Sequence, residues 1–473
     1  MKKNLFSSYV AGIQNQSEGQ EYKQLAGYFI PELITAVILY SIPLLVDARF
    51  IAHLHSTTAY ATLGVTNTLL HFIIKVAEGL SVGTIVLSGK LNGSTEYEDA
   101  GRALVNSFWT TVFLGGAIAS FLYFLAGPIY WWYGVPDEMI AMGIPFLKIR
   151  AVGIFFTFVY FAFIGFLRGI KNTRVTMNIF IAGCALFLFF DYVLIFGKWG
   201  FPELGLYGSA LSTVIQYVFM AGVAYSYIVY NTHLKKYNIS FFSSFASWKN
   251  IKELFRLSWP VMIDKGALAG AYMWLGYCIA PMGTNALASF AAIKDLERFS
   301  LLPAIAFAQV VTFLVSNDCG RQDWKGIKVT IKKIVFLSTM MVFTILLFCS
   351  LWPKTIIQFF DMKGDFADFS AKAFPVISIL AFFDVLQLIL AGSLRGASNV
   401  KTVMWTRLLV CFGFFAPLAY FFSSSNITHQ IVKFVLVYSS LYVGNALMSV
   451  IYIRRFRGHQ WKEQARRNIN ENR

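Results

Sequence analysis

Leu167-Arg168-Gly169-Ile170-Lys171-Asn172 is answered 227 residues later by Leu394-Arg395-Gly396-Ala397-Ser398-Asn399, with the Leu-Arg-Gly opening and the closing Asn unchanged. Gly93 and Gly320 keep the displacement of 227, and Pro31 and Pro260 stand 229 apart. So nearly constant an offset, in a chain of 473 residues, marks an internal duplication. The fold is then that of one half, written twice.

Each half reads as six apolar runs. They fall near 25–47, 59–88, 103–127, 143–167, 175–197 and 205–230, then near 257–281, 286–316, 334–352, 373–394, 402–422 and 431–453. A helix needs about 20 apolar residues to cross a hydrocarbon core of roughly 30 Å, and every run is of that order. Composition agrees: 57% of residues are hydrophobic and 14% charged, against roughly 25% charged in a soluble domain. The expected fold is all-α and integral to the membrane, with twelve transmembrane helices in two pseudo-symmetric six-helix lobes. Six spans per half give both halves one orientation, a parallel repeat with a central cavity expected between lobes.

The expected organisation is a polar N-terminal segment over 1–24, an N-lobe over 25–231, a linker over 232–256, a C-lobe over 257–453 and a basic tail over 454–473. Alternate connections are basic: Lys90 and Arg102; Arg168, Lys171 and Arg174; Lys235 to Arg256; Arg321 to Lys333; Arg395 and Lys401; and the tail from Arg454. The opposite connections hold Trp131, Trp132, Tyr133 and Trp199, residue types of the membrane interface. Both termini are therefore expected on the cytoplasmic side of the cell (inner) membrane.

The formal charge of +16 is carried mostly by these short connections, which points to membrane orientation and not to nucleic acid. Cys184, Cys278, Cys319, Cys349 and Cys411 are scattered, with no CxxC spacing, so neither disulfides nor structural zinc are expected. No signal peptide is read in the first 24 residues. No P-loop, HExxH or hydrolase triad is present, and the six His residues form no repeated arrangement, so an enzyme is not expected.

Ionisable groups inside apolar runs ask for a partner, a wet cavity or a function. Lys75 and Glu78 stand three apart and can neutralise one another. Lys294, Asp295, Glu297 and Arg298 make a dense cluster that reads either as locally neutralised or as cavity charges. Lys148, Arg150, Lys265 and Arg407 read as basic side chains that reach the interface along their own stems. Arg168 and Arg395 read as anchors of helix ends to carbonyls, carboxylates or lipid phosphate.

Over about Leu25 to Ile453 the chain resembles the multidrug and toxic compound extrusion (MATE) transporters, within the superfamily that includes oligosaccharide-lipid flippases. The resemblance rests on Val46-Asp47-Ala48-Arg49-Phe50-Ile51-Ala52, on Glu78-Gly79-Leu80-Ser81-Val82-Gly83-Thr84, and on Pro145 to Arg150 leading to Arg168-Gly169. Leu204-Gly205-Leu206-Tyr207-Gly208-Ser209-Ala210-Leu211-Ser212-Thr213 adds to it, as does Asp384-Val385-Leu386-Gln387 ahead of Leu394-Arg395-Gly396.

The resemblance implies a secondary antiporter that exports small organic, cationic or amphipathic compounds in exchange for H⁺ or Na⁺. It implies no cofactor, no metal beyond transient Na⁺, small molecules and the bilayer as partners, and a monomer. An N-lobe coupling site would comprise Asp47, Asp191 and Thr213. Phe187 stands where the family pattern has an Asn ligand, which favours H⁺ there. A C-lobe site would comprise Asp384 and Asp264, the latter four residues before Leu268, which replaces the family's Glu. A lipid-linked oligosaccharide flippase is the rival reading, and a membrane-embedded lipid-modifying enzyme the remote one.

Overall fold

The computed structural model describes residues 5–15, 18–40, 46, 49–51, 53–54, 56–242, 248–358 and 366–470. A short helix, Leu5–Gln14, precedes the membrane helices α1 (Tyr22–Tyr40), α2 (Thr57–Gly93), α3 (Tyr97–Phe124), α4 (Asp137–Gly169), α5 (Thr173–Phe196) and α6 (Leu206–Tyr230). The second six are α7 (Trp248–Ile279), α8 in two pieces (Thr284–Ser300 and Leu302–Gly320), α9 (Trp324–Leu351), α10 (Ala367–Gly396), α11 (Val400–Ser424) and α12 (Gln430–Arg457). An eleven-residue helix, Gln460–Asn470, closes the described chain.

Twelve membrane helices in two lobes is the architecture expected from the sequence. Ten of the helices are each apolar and long enough to span a bilayer. The other two, α1 and α7, are the pair that Pro31 and Pro260 mark as equivalent. The described part of α1 stops at Tyr40, and α7 begins at Trp248, inside the stretch expected to be linker. What precedes it folds back: Tyr237 donates its phenol hydrogen to Asn92 Oδ1 at 2.7 Å, and Trp109 Nε1 donates to the Phe241 carbonyl at 3.0 Å.

The compact units divide within α1 and α7 and not between the halves of the sequence. One contains residues up to Phe29 together with Ile263–Arg473, the other Ile30–Met262. They are called the C-unit and the N-unit below.

The duplication is visible in the backbone. Four non-glycine residues hold the left-handed conformation at helix ends in pairs 227 apart: Thr95 (φ 66°) with Gln322 (φ 59°), and Lys171 (φ 66°) with Ser398 (φ 59°). Such a conformation costs a non-glycine residue on the order of 1 kcal/mol. Its recurrence at matched positions is therefore a shared demand of the two folds.

Close helix contacts repeat as well. A methyl group on Gly165 of α4 would meet the Ser81 carbonyl of α2 at 2.8 Å, and one on Gly169 would meet Ser88 Oγ at 2.0 Å. In the C-unit, Gly392 and Gly396 of α10 stand equally tight against the Ala308 and Thr312 carbonyls of α8, at 2.7 and 2.4 Å. Lipid gives no hydrophobic drive for helices to associate, so backbone approach through small residues four apart supplies the packing instead.

Two helices break. Between its two pieces α8 turns at Leu301, one residue ahead of Leu302-Pro303, where a proline fits the first turn of the second piece. In α11 the winding widens to a π turn over Cys411–Phe415, just before Pro417, which lacks the N–H that an α turn would use.

Candidate functional site

Three of the carboxylates in the C-unit bear on the site, Asp384, Glu297 and Asp264, each buried or half-buried. Asp384, on the third turn-layer of α10 above Arg395, accepts a hydrogen bond from Asn445 Nδ2 of α12 at 2.5 Å. Glu297, in the first piece of α8, is 5% exposed and accepts from the phenols of Tyr438, at 2.6 Å, and Tyr442, both on α12. Among the described residues, neither carboxyl has a lysine or arginine at ion-pair distance. The two are close enough to act on one another electrostatically. Tyrosines 438 and 442 stand one helical turn apart with their rings stacked at 5.9 Å, which aims both hydroxyls at one point.

Asp264 of α7 is in a different state. It is 1% exposed and ion-paired with both Arg395 of α10 and Arg407 of α11, one guanidinium on each oxygen. The helix-end role read for Arg395 thus has a specific partner, a carboxylate. Arg407 is corrected: it is 2% exposed and does not reach an interface, because Asp264 offers it a closer acceptor inside the unit.

Of the four charges read on α8, Glu297 alone is buried; Asp295 and Arg298 are exposed, and half-buried Lys294 places its ammonium 5.5 Å from the Phe290 ring.

In the N-unit, Asp191 of α5 is fully buried and accepts from Ser212 Oγ of α6 at 2.9 Å. Thr213, the next residue, gives its hydrogen to the Ser209 carbonyl and accepts from Arg150 Nη1 of α4. Arg150 is the second correction: the guanidinium turns to Thr213 and not to the interface, which sets a positive group on one oxygen expected to bind a cation. Phe187 is 2% exposed, in the core. Asp47 lies outside the described residues.

Lys75 and Glu78 form the expected pair at 2.7 Å. Arg168, at the end of α4, makes a two-pronged ion pair with Glu32 of α1, at 2.9 and 2.8 Å, with both side chains buried. Glu32 escaped sequence reading although it directly follows the repeated Pro31. Tyr438, Tyr442 and Asn445 escaped it too, since a phenol or amide in an apolar run carries no charge to mark it.

All five cysteines are free and buried, and among the described residues no group of three or more His, Cys, Asp or Glu could hold a metal ion. Chemically, the arrangement can hold and release a positive charge: carboxyls with uncharged donors accept a proton or an organic cation and lose it again without breaking an ion pair.

Known proteins share the family and the fold. The family model described as MatE matches residues 33–193 and 260–421. "Probable multidrug resistance protein NorM" of Thermotoga maritima is 24% identical over 379 residues, 77% of this chain and 80% of the relative. "Probable multidrug resistance protein YoeA" of Bacillus subtilis is 23% identical over 425 residues, 87% of this chain and 89% of the relative. Among solved structures, an outward-facing multidrug resistance MATE family transporter of the MOP superfamily superposes with a TM-score of 0.84 at 17% identity, covering 93% of this chain and 96% of that one. A MOP superfamily transporter from Pyrococcus furiosus gives 0.83 at 16% identity, with the same coverage of 93% and 96%.

Proposed function

The chain belongs to the MatE family, whose members are membrane transporters and not enzymes, and on that premise we propose that it is a secondary antiporter exporting small organic cations or amphipathic compounds in exchange for protons. The observation that carries the reading is the pair of C-unit carboxyls, Asp384 and Glu297, whose hydrogen-bond partners are an amide and two phenols. In a poorly solvated interior two neighbouring carboxyls are relieved by one positive charge, whether a proton or a bound cation. Asp384 is half-buried and Glu297 buried, so Asp384 is the more accessible of the two.

Antiport follows from mutual exclusion. A proton on Asp384 weakens its attraction for a cationic compound, and the compound in turn discourages the proton. Each ligand shifts the carrier toward the state it binds better. Protons are favoured over Na⁺ as the coupling ion: Phe187 offers no oxygen, and Thr213 faces a guanidinium. The lipid-linked sugar reading called for a strongly cationic cavity, and two carboxyls whose hydrogen-bond partners are uncharged support the cationic substrate instead. The protein acts, in this reading, as a monomer in the cell membrane with both termini in the cytoplasm.

Proteoliposomes loaded with a fluorescent organic cation, and given ΔpH or ΔpNa separately, test the proposal. Export should follow ΔpH alone and fall at least about tenfold in Asp384→Asn, equivalent to losing about 1.4 kcal/mol of coupling. Export driven by ΔpNa with no ΔpH, or a folded Asp384→Asn protein with unchanged pH-driven export, would defeat it.

A further inference from the structure

Asp264, Arg395 and Arg407 leave a charge sum that does not close: one carboxylate faces two guanidinium groups in the interior of the C-unit. Arg395 sits at the end of α10. Arg407 sits two turns into α11 and is 2% exposed, where a net positive charge is costly to leave uncompensated. Only its Nε has an acceptor among the described residues, Asp264 Oδ1, so both terminal nitrogens keep donors to give.

Arg395 and Arg407 meet on Asp264, and Asp384 lies three turns along α10 from Arg395 on the same helix face, within the field of Arg407. One oxygen of Asp384 takes the Asn445 amide while the other has no hydrogen-bond partner among the described residues. Spare donors and a spare acceptor thus share one region. The other titratable or charged groups facing them do not compete. Tyr272 of α7 and Tyr452 of α12 are neutral phenols, and Cys411 is a buried thiol on the same helix as Arg407. Arg395 is engaged by Asp264 through Nη2, with its buried Nε lacking a partner among the described residues, and Glu297 is held by Tyr438 and Tyr442. Arg298 of α8 is exposed. Arg407 also stands four residues before the π turn at Cys411, where the regular α bonding of α11 gives way to the wider pattern frequent at functional sites.

We propose that Arg407 is a shared counter-ion of the C-unit: it pairs with Asp264 alone while Asp384 carries a proton or an organic cation, and turns its free nitrogens to Asp384 when that carboxylate is empty. The inference rests on Asp384 being the exchanging group. No bond is made or broken beyond the proton that Asp384 returns to water. The empty carrier then never presents a bare charge, and the substrate must displace an internal cation, which limits how tightly it is held. Arg407 is in this sense a positioning residue that sets substrate affinity through Asp384.

The test is a double-mutant cycle on the full-length protein in detergent, with binding of tetraphenylphosphonium measured from acid to alkaline pH. Arg407→Gln leaves Asp264 with Arg395, a balanced pair, so the variant is expected to fold. It should bind the probe about tenfold tighter at alkaline pH and no tighter at acid pH, where Asp384 is protonated. Placed on Asp384→Asn, the same change should have no effect on affinity. Arg407→Lys keeps the charge and should stay within about threefold of the parent.

Equal affinities for the parent and Arg407→Gln at every pH would overturn the proposal. So would an Arg407→Gln gain that survives in Asp384→Asn, since the arginine would then act elsewhere. If Arg407→Gln fails to fold, the parent and Arg407→Lys compared at alkaline pH decide: lysine reaches Asp384 without a fork, and a rank order opposite to the competition, weaker binding with lysine, counts against it. A pH-independent Asp384→Asn/parent ratio indicts the exchange reading itself and is distinguishable from failure of Arg407 alone.

Discussion

Arg168 and Arg395 occupy matching places in the two halves and meet different surroundings. In the N-unit Arg168 has one carboxylate, Glu32, gripped with two hydrogen bonds. In the C-unit Arg395 shares Asp264 with Arg407. The contrast extends inward. Stepping back 227 residues from Glu297, Tyr438, Tyr442, Asp384 and Arg407 gives Leu70, Leu211, Ile215, Thr157 and Phe180. Stepping forward from Arg150 and Asp191 gives Ile377 and Leu418. One backbone plan thus carries two unrelated sets of charge. What the halves share, the Leu-Arg-Gly turns and the four-apart glycines, is the apparatus of packing; what differs is the apparatus of exchange.

The largest effect expected from breaking this comparison is at Arg168. Arg168→Ala leaves Glu32 buried and uncompensated, which destabilises by about 3–5 kcal/mol. Arg395→Ala leaves Asp264 its second guanidinium and should destabilise by about 1.5–3 kcal/mol, the worth of one charge-assisted hydrogen bond. Thermal unfolding of both variants in detergent measures the difference. A larger loss at Arg395 would mean that Arg407 is not the effective partner of Asp264.

The sequence makes the first member of this comparison legible and hides the second. Apolar runs and the 227-residue offset locate the helices because length and period are physical requirements of a bilayer. Charged residues in those runs, such as Asp191, Asp264, Glu297 and Asp384, announce themselves by their cost. Partners do not. Whether Asp264 meets Asp384 or Arg407 depends on the rotation of α7 against α10 and α11, which hydropathy does not record. Arg150 and Arg407 misled because each lies within reach of a run's end on paper, while helix packing turns both inward. Glu32 was missed because it reads as the polar rim of α1 until Arg168 of α4 is placed against it.

A mid-sized effect sharpens the comparison at the site itself. Glu297→Gln keeps shape and removes the ability to exchange a proton, so pH-driven export should fall about three- to tenfold, less than in Asp384→Asn because Glu297 is the more deeply buried of the two. Lys75→Met, which removes the lysine paired with buried Glu78, should lower the yield of folded protein while changing export per folded molecule by less than about threefold. Rates in proteoliposomes under one fixed ΔpH give both numbers. A Lys75→Met loss larger than that of Glu297→Gln would relocate the exchange to the N-unit.

The smallest expected effect is a change of three residues that makes the C-unit resemble the N-unit. Tyr438→Phe or Tyr442→Phe alone takes one donor from Glu297 and leaves its carboxyl buried with a single phenol, a loss of about 1–3 kcal/mol. Adding Glu297→Leu removes the carboxyl that needed those donors. The triple variant Glu297→Leu, Tyr438→Phe, Tyr442→Phe then presents an apolar cluster of similar volume, apolar at the same three positions as Leu70, Leu211 and Ile215 in the other half of the sequence. Replacing a satisfied buried polar group by apolar residues of matching shape is often neutral or stabilising, so its unfolding temperature should lie above that of either tyrosine variant and close to the parent. Transport separates the two meanings of that result: a stable triple variant with pH-driven export intact would show the Glu297 cluster to be packing, whereas a stable variant with export reduced as in Glu297→Gln assigns its polarity to exchange and its volume to the fold.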